Sequence, residues 1–183
     1  MNDPLPPAGR ADPQPDQVMF SNAVRAEQAC RGSREAYARR AAAGRFAHEL
    51  SPEVIAFIGE RNSAFLATAS AGGQPYVQHR GGPPGFIKVL DTHTLGFAEY
   101  AGNKQYISIG NLAENNRSFL FLMDYEQGRR LKLWGRAKVL GEARLLDRLA
   151  NPAYPGRIER AIVFDVLAWD WNCSQHIPRL VPA

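Results

Sequence analysis

Polar side chains that could bind an anion cluster in three short parts of the sequence. Gln78, His79 and Arg80 end one predicted strand, and Lys88 lies on the next strand. Residues 103–105, Asn-Lys-Gln, open a predicted helix. Cations and forked donors that converge from neighbouring strands and a helix start are suited to a phosphate group. The alternative is that these polar strand ends are simply solvated.

Two other motifs could indicate a metal or nucleophile site and a phosphate loop, but each lacks part of the pattern that this chemistry requires. Cys173 and His176 lie three residues apart, a spacing that could give a nucleophile pair or two metal ligands. A structural zinc site needs four ligands and the sequence has no second cluster, so we expect no metal. The glycine-rich run 81–85 lacks the Lys-Ser/Thr ending of a phosphate loop. We interpret it as a bulged loop that lets the backbone approach a ligand.

The composition is typical of one soluble domain. The chain has 183 residues, 45% of them hydrophobic, and its net charge of +4 is scattered rather than gathered in one block. This distribution argues against a dedicated nucleic-acid surface. No apolar stretch approaches the roughly 20 residues of a membrane span, and the Pro-rich start does not resemble a secretory signal. We therefore expect a cytoplasmic protein with no nucleic-acid or membrane partner and with reduced thiols.

The first third of the chain divides into a tail and a helical segment. Residues 1–17 carry prolines among charged residues, which predicts a disordered Pro-rich tail. Residues 18–60 are predicted to be helical and to pack on the following domain, with Ser21, Ser33 and Ser51 as caps. The basic part, 34–45, is interpreted as a solvated helix, and a nucleic-acid or partner site is the alternative.

Residues 61–183 are predicted to form one β-rich domain. Tyr106, Ile109 and Leu112 recur at helical spacing, which predicts a helix over 104–115 between the fourth and fifth strands. The pattern is mainly β and favours a closed or partly closed antiparallel barrel over a Rossmann fold. The predicted strands cover 63–70, 74–80, 86–90, 95–100, 118–124, 130–140 and 158–168, and a further helix covers 143–150.

Several segments of the sequence resemble signatures of the pyridoxamine 5′-phosphate oxidase-like superfamily. They are 75–89, Gly-Asn-Lys-Gln-Tyr-Ile-Ser at 102–108 with 110–115, 132–137, and Asp-Trp-Asn-Cys-Ser-Gln-His-Ile at 170–177. Together they cover most of the chain from about Phe20 onward. The resemblance implies an α+β, mainly β fold, an FMN-binding split β-barrel with flanking helices. It also implies a homodimer with FMN in two interface sites.

The resemblance also implies which residues contact the cofactor. The oxidase carries Ser-Arg-Lys where residues 102–104 stand, so only Lys104 keeps the cation, and Arg80 or His79 could replace the missing one. Arg130 aligns with a partner-subunit side chain at the flavin ring, or is an ordinary surface arginine. The C-terminal run closes the ring pocket, or merely caps the barrel. The implied FMN-binding residues are Gln78, His79, Arg80, Lys88, Asn103, Lys104, Gln105, Arg130, Trp171, Gln175 and His176.

The implied function is that of an FMN-dependent oxidoreductase with an unidentified substrate and an electron donor such as a nicotinamide nucleotide. Pyridoxamine phosphate oxidation itself is not expected, because the C-terminal end lacks an Arg- and His-rich segment for the substrate phosphate. The alternative is a protein that stores or senses a flavin, a deazaflavin or haem without turnover. No catalytic acid or base can be assigned, although Tyr106 and His176 are candidates. A homodimer would bury an apolar sheet face that we expect at Phe119, Phe121, Leu131 and Leu133.

Overall fold

The computed structural model describes residues 13–152, 154, 156–172, 175–178 and 180. In that part of the chain the helices are α1 (Pro15–Met19), α2 (Asn22–Cys30), α3 (Arg34–Ala42), α4 (Pro52–Glu60), α5 (Ile107–Glu114) and α6 (Ala143–Leu149). The strands are β1 (Ser63–Ala69), β2 (Pro75–Gly81), β3 (Lys88–Val89), β4 (Thr94–Tyr100), β5 (Arg117–Asp124), β6 (Arg129–Leu140) and β7 (Ile158–Asn172).

Two of the three predicted serine caps start their helices as expected. The hydroxyl groups of Ser21 and Ser51 accept hydrogen bonds from the backbone N–H groups of Val24 and Val54, both at 3.3 Å. Ser51 is followed by Pro52 at the first helical position, where its fixed φ suits the helix. Ser33 precedes α3 but makes no such bond. Serine type and position therefore predict where these helices start better than they predict the capping contact.

The described strands form one antiparallel sheet in the order β2-β1-β5-β6-β7-β4-β3. Its long central strands, β6 and β7, have a bulge after Trp134. A Cβ atom at Gly135 would lie 2.3 Å from the Asp165 carbonyl oxygen, so this close approach requires glycine. The two sides of the sheet come together again, because Arg80 of β2 forms an ion pair with Glu99 of β4. The fold is thus the mainly β split barrel with flanking helices that the sequence predicted.

The barrel interior is filled by alternate residues of each strand. Leu66 of β1, Leu120 of β5 and Phe164 of β7 are fully buried in it. Helix α4 covers one end of the barrel and contributes Val54, Phe57 and Ile58 to the same core. Burying a side chain of this size contributes about 1.5–3 kcal/mol. This core fixes the strands that carry the candidate site.

The opposite surface of the sheet, which we call the outer face, carries four aromatic side chains, those of Phe65, Phe119, Phe121 and Trp134. These side chains are half-buried, and Phe119 contacts Trp134 with ring centroids 5.0 Å apart. Leu131 and Leu133 are fully buried in the core instead. The expectation that all four of 119, 121, 131 and 133 share one exposed face was therefore wrong for both leucines. Register explains the error, because Leu133 pairs with Leu120 and not with a phenylalanine.

Several element boundaries differ from the predicted ones. Strand β7 continues to Asn172 rather than ending at 168, and α5 begins at Ile107 rather than at 104. Helix α1 begins inside the predicted tail and ends two residues beyond it, at Met19, and residues 1–12 of the tail are outside the described ones. The division of the chain into a tail, a helical segment and a barrel domain stays a prediction. Among the described helices none is long and apolar enough to cross a membrane, and the cytoplasmic location also stays a prediction.

Candidate functional site

A pocket of about 220 Å³ lies at the split of the barrel, where β2 approaches β4 and the start of α5. Alternation along β2 turns Tyr76, Gln78 and Arg80 towards one face of the strand and leaves His79 on the other. The pocket is lined by Tyr76, Gln78, Arg80, Glu99, Tyr100, Gly102, Asn103, Lys104, Gln105, Tyr106, Ile107, Ser108, Ile109 and Glu159.

Arg80 is the cation at the centre of this arrangement. Its Nη1 atom forms an ion pair with the Glu99 carboxylate at 2.5 Å, and the two side chains are only 12% and 16% exposed. Its Nε and Nη2 atoms are buried and have no hydrogen-bond partner among the described residues. A buried donor without a partner costs about 1–3 kcal/mol. The hydrogen bonding of the guanidinium group is therefore incomplete, and an anionic ligand that accepts from Nε and Nη2 would complete it.

Helix α5 is held to the sheet by polar contacts. The buried Ser108 hydroxyl donates to the Gln78 side-chain oxygen at 3.0 Å, and Asn111 donates to the Thr68 hydroxyl at 3.0 Å. Tyr106, in the N-cap position, gives no side-chain cap, so the first-turn N–H groups of α5 stay available. These N–H groups and the positive end of the helix dipole favour an anion at this point.

The loop before α5 has an uncommon backbone conformation. Lys104 and Tyr106 have φ angles of 60° and 52°, in the left-handed region that non-glycine residues seldom adopt. The Asn103 side-chain oxygen accepts the Gln105 N–H at 3.1 Å and supports the turn. Strain of this kind concentrates at ligand sites and costs of order 1–3 kcal/mol for each residue. It is a second observation, independent of Arg80, that makes this loop part of the candidate site.

The pocket also contains two carboxylates. Glu99 faces Arg80, while Glu159 accepts hydrogen bonds from Arg157 at 2.7 Å and from the Tyr106 hydroxyl at 3.4 Å. Both carboxylates already have cationic or neutral donors, so neither leaves an uncompensated negative charge in the pocket. Sequence reasoning missed Glu99, Glu159 and Ser108. The sequence offered little indication of Glu99, because this residue lies in the pocket only through the approach of β2 and β4 in the folded barrel.

The structure brings together only some of the predicted cofactor residues. Five of them line the pocket, and we call these the phosphate-site group: Gln78, Arg80, Asn103, Lys104 and Gln105. His79 instead points to the other face of β2, where its Nε2 atom is 3.0 Å from the Ser63 hydroxyl. Lys88, on β3, pairs with Gly96 of β4 and does not line the pocket, and neither does the glycine-rich run 81–85.

The remaining predicted residues lie near the C-terminal end of β7 or follow it. We call them the far-end group, which comprises Arg130, Trp171, Gln175 and His176. Arg130 donates to the Gln175 carbonyl at 3.3 Å and lies opposite Asn172 in the β6–β7 ladder. Trp171 follows Glu159 by twelve residues on β7, which is about 40 Å along the strand. Cys173 lies outside the described residues. One chain therefore does not bring the two groups to one place.

Trp171 is an integral part of the barrel as well as a member of the far-end group. Its ring packs edge-on against Phe57, with centroids 4.9 Å apart, and the Arg129 guanidinium lies 4.3 Å from its centroid. It also lines a wider pocket of about 590 Å³ together with Trp169 and Arg40. Among the described residues, no three His, Cys, Asp or Glu side chains form a group that could hold a metal ion.

The sequence matches the family described as pyridoxamine 5′-phosphate oxidase over residues 50–166, which is more than half of the chain. The chain belongs to the pyridoxamine 5′-phosphate oxidase family. The match includes every residue that lines the pocket. It ends before the far-end residue Trp171, so the family match does not extend to that part of the predicted site.

Solved structures similar to this pyridoxamine 5′-phosphate oxidase family member agree with the fold. A variant of HupZ from Group A Streptococcus has a TM-score of 0.56 and 17% identity, over 67% of this chain and 99% of that one. A protein of the pyridoxinephosphate oxidase family from Clostridium acetobutylicum has a TM-score of 0.53 and 14% identity, over 70% and 89%. The comparison with curated proteins found no match.

The pocket fits the phosphate end of a flavin nucleotide, the class of cofactor that this family binds. Such a phosphate is close to dianionic and needs several donors that converge on it. The unpartnered nitrogens of Arg80, the Lys104 ammonium and the first N–H groups of α5 all belong to the pocket lining. The polar lining and small volume suit a phosphate and part of a sugar chain rather than a flat ring.

Proposed function

We propose that this protein binds FMN and acts as a flavin-dependent oxidoreductase. The observation that carries the proposal is the buried Arg80 guanidinium beside a strained loop and a helix start, with two nitrogens that have no partner among the described residues. Bound FMN would supply hydride or electron transfer, and the protein would supply binding and electrostatics. Family membership supports the flavin, and the site supports the phosphate.

In this proposal the phosphate-site group holds the cofactor by its phosphate. Arg80 donates from Nε and Nη2, and Lys104 adds a second cation from the loop. Gln78, which already accepts from Ser108, keeps its side-chain amide N–H groups for the sugar chain. The strained loop keeps these groups in place before the cofactor arrives, which lowers the entropic cost of binding.

We further propose that the flavin ring lies between two copies of the chain. The pocket of about 220 Å³ is smaller than the roughly 300–1,000 Å³ typical of cofactor sites. The far-end group carries the tryptophan and the arginine that would contact a ring, but it lies at the other end of β7. A second copy, related by a two-fold axis, could bring its far-end group to the pocket of the first.

The outer face is the surface that such a dimer would bury. It presents three phenylalanine rings and one tryptophan across three neighbouring strands, β1, β5 and β6, and an apolar patch of this kind is typical of an interface. Phe121→Glu should convert the dimer to a monomer in light scattering, whereas Val24→Glu on the exposed side of α2 should not. A wild-type protein that is monomeric at micromolar concentration would contradict the shared ring site.

Flavin titration tests the phosphate assignment directly. Arg80→Ala or Lys104→Ala should weaken FMN binding by about tenfold to a hundredfold, because a charge-assisted hydrogen bond contributes about 1.5–3 kcal/mol. Riboflavin lacks the phosphate and should bind both variants about as well as it binds the wild type. Arg39→Ala, at an exposed position of α3, is the matched control. Equal losses for both ligands would show that the phosphate lies elsewhere.

Two spectroscopic measurements separate the oxidoreductase from a storage protein. The visible absorption spectrum of the freshly purified protein distinguishes a flavin from a deazaflavin or haem. Anaerobic addition of a nicotinamide nucleotide should then bleach the flavin band if the protein accepts electrons from that donor. A flavin that stays oxidised with every reduced nicotinamide nucleotide would favour storage or sensing.

A further inference from the structure

The ion pair between Arg80 and Glu99 joins two strands that lie far apart in the sheet order. Arg80 is on β2, the strand at one edge of the sheet. Glu99 is near the end of β4, which lies next to the two-residue strand β3 at the opposite edge. The pair therefore spans the split of the barrel, at the pocket where the phosphate-site group lies. A contact at this point can control both the closure of the split and the shape of the pocket.

A carboxylate beside a phosphate site has two opposing effects. Its negative charge repels a phosphate dianion, which weakens binding. It also fixes a long, rotatable arginine side chain in one orientation, which reduces the entropy that binding must remove. Glu99 is 16% exposed and contacts the terminal Nη1 atom of Arg80, and no described residue is a partner of Nε or Nη2. The geometry is that expected of an orienting contact.

We propose that Glu99 is a positioning residue for the cofactor phosphate. Glu99 holds Arg80 by Nη1, so that Nε and Nη2, the two adjacent donors, form a fork that matches two phosphate oxygens. Glu99 itself does not contact the phosphate. The inference rests on the proposed function, because it takes the phosphate of a flavin nucleotide as the ligand.

Two features of the site support orientation rather than simple charge compensation. If Glu99 only neutralised Arg80, it would be free to engage any of the three guanidinium nitrogens, but within the described part of the chain only Nη1 has a partner. Both other nitrogens are also buried, so the side chains around the guanidinium restrict its orientation together with Glu99. Because both nitrogens are shielded from solvent, neighbouring side chains must shift slightly to admit a phosphate oxygen.

A pair of substitutions separates the two roles of Glu99. Glu99→Gln removes the charge and keeps an oxygen at the same reach, which can still accept from Nη1. Glu99→Asp keeps the charge and withdraws the oxygen by one methylene. If Glu99 orients Arg80, Glu99→Gln should bind FMN within about threefold of the wild type, and Glu99→Asp should bind about tenfold more weakly. Riboflavin affinity should change by less than about threefold in both variants, because riboflavin has no phosphate to orient.

Three results of the FMN and riboflavin titrations would overturn the proposal. If Glu99→Gln loses FMN affinity and Glu99→Asp loses little, Glu99 would be a charge-compensating residue. Tighter FMN binding by both variants would show that repulsion dominates. Equal losses for riboflavin and FMN, with a lower melting temperature, would indicate a merely structural contact across the split.

A phosphate control distinguishes failure of this inference from failure of the proposed function. If the wild-type protein binds neither flavin, the proposed function is wrong. The shift in melting temperature caused by inorganic phosphate then becomes the readout for Glu99. A shift that Glu99→Gln retains and Glu99→Asp loses would keep the positioning role for an anion of another kind. Without a shift in the wild type, both proposals fail.

Discussion

Two arginine–carboxylate pairs in this barrel have arginines that are buried to the same degree and differ in how completely those arginines are hydrogen-bonded. Arg61, at the end of α4, is 13% exposed and pairs with Asp124 of β5, which is 6% exposed. Arg80 is 12% exposed and pairs with Glu99. Every nitrogen of Arg61 has a partner, since Nη1 bonds Asp124, Nη2 bonds Glu60 and Nε donates to the Phe57 carbonyl. Among the described residues, Arg80 has a partner for one nitrogen, Nη1.

The contrast distinguishes a structural pair from a ligand site at equal burial. A buried charge is tolerated when its hydrogen bonds are complete, as they are at Arg61. Arg61 also lies over the Phe57 ring, with 4.5 Å between its Cζ atom and the ring centroid. Arg80 has no comparable set of partners, although it lines a pocket. Incomplete bonding of a buried cation, rather than burial or charge, is therefore the feature that identifies the candidate site.

The largest effect on stability is expected from Arg61→Ala. Removing one partner of a buried pair costs about 3–5 kcal/mol, because it leaves the other charge buried and uncompensated. Arg80→Ala should cost less by about 1–3 kcal/mol, since it also removes two unsatisfied donors. Urea unfolding of both variants, with Arg39→Ala as an exposed control, measures the difference. Equal losses for Arg61→Ala and Arg80→Ala would remove the distinction between the two pairs.

An intermediate effect is expected from acid. Burial raises the pKa of the Asp124 carboxyl, but the hydrogen bond from the Gln127 N–H and the Arg61 guanidinium outweigh burial, so the pKa lies below its ordinary value of 3.8. A depressed folded pKa gives stability that is fully present above the unfolded pKa and is lost as the pH falls through the folded value. The melting temperature should thus be steady from about pH 7 to 5 and decline below about pH 4.

Asp124→Asn is the variant that tests the source of this acid sensitivity. It should be less stable at neutral pH and should show a flatter decline below about pH 4. Asp91 is the comparison, because the hydrogen bond from the His93 N–H lowers the pKa of its carboxyl as well, although it is exposed and lies in a turn. A decline that stays unchanged in Asp124→Asn and disappears in Asp91→Asn would assign the effect to the turn.

Local sequence patterns predicted most of the helices and strands, whereas the site depends on the approach of β2 and β4, which lie far apart in the sheet order. Alternation over 63–80 and the spacing of Tyr106, Ile109 and Leu112 concern neighbouring residues, so the hairpin and α5 could be predicted from sequence. The Arg80–Glu99 pair joins strands that are not neighbours in the sheet, so no short window of sequence contains it. Alternation likewise gives two faces for β6 without saying which one is the core. That is why Leu131 and Leu133 were assigned to the wrong face.

The smallest effect is expected from a half-buried pair that is more exposed than the other two. Asp16 of α1 forms an ion pair with Arg25 of α2 at 2.9 Å, with the side chains 23% and 33% exposed. Helix α1 buries no residue, so this pair and the hydrogen bond from Arg25 to the Phe20 carbonyl are the main polar contacts that hold it. Water and salt screen such a pair, and Asp16→Ala should cost about 0.2–1 kcal/mol, less in high salt.

Thermal unfolding of Asp16→Ala at low and high salt measures this contribution. Glu35→Ala is the matched control, because its pair with Arg39 is much more exposed, at 90% and 74%, and longer, at 3.7 Å. We expect Asp16→Ala to lower the melting temperature slightly and Glu35→Ala to leave it unchanged, and the difference should vanish in high salt. A loss in Asp16→Ala as large as that of Arg61→Ala would mean that α1 is a cooperative part of the barrel and that exposure does not rank these pairs.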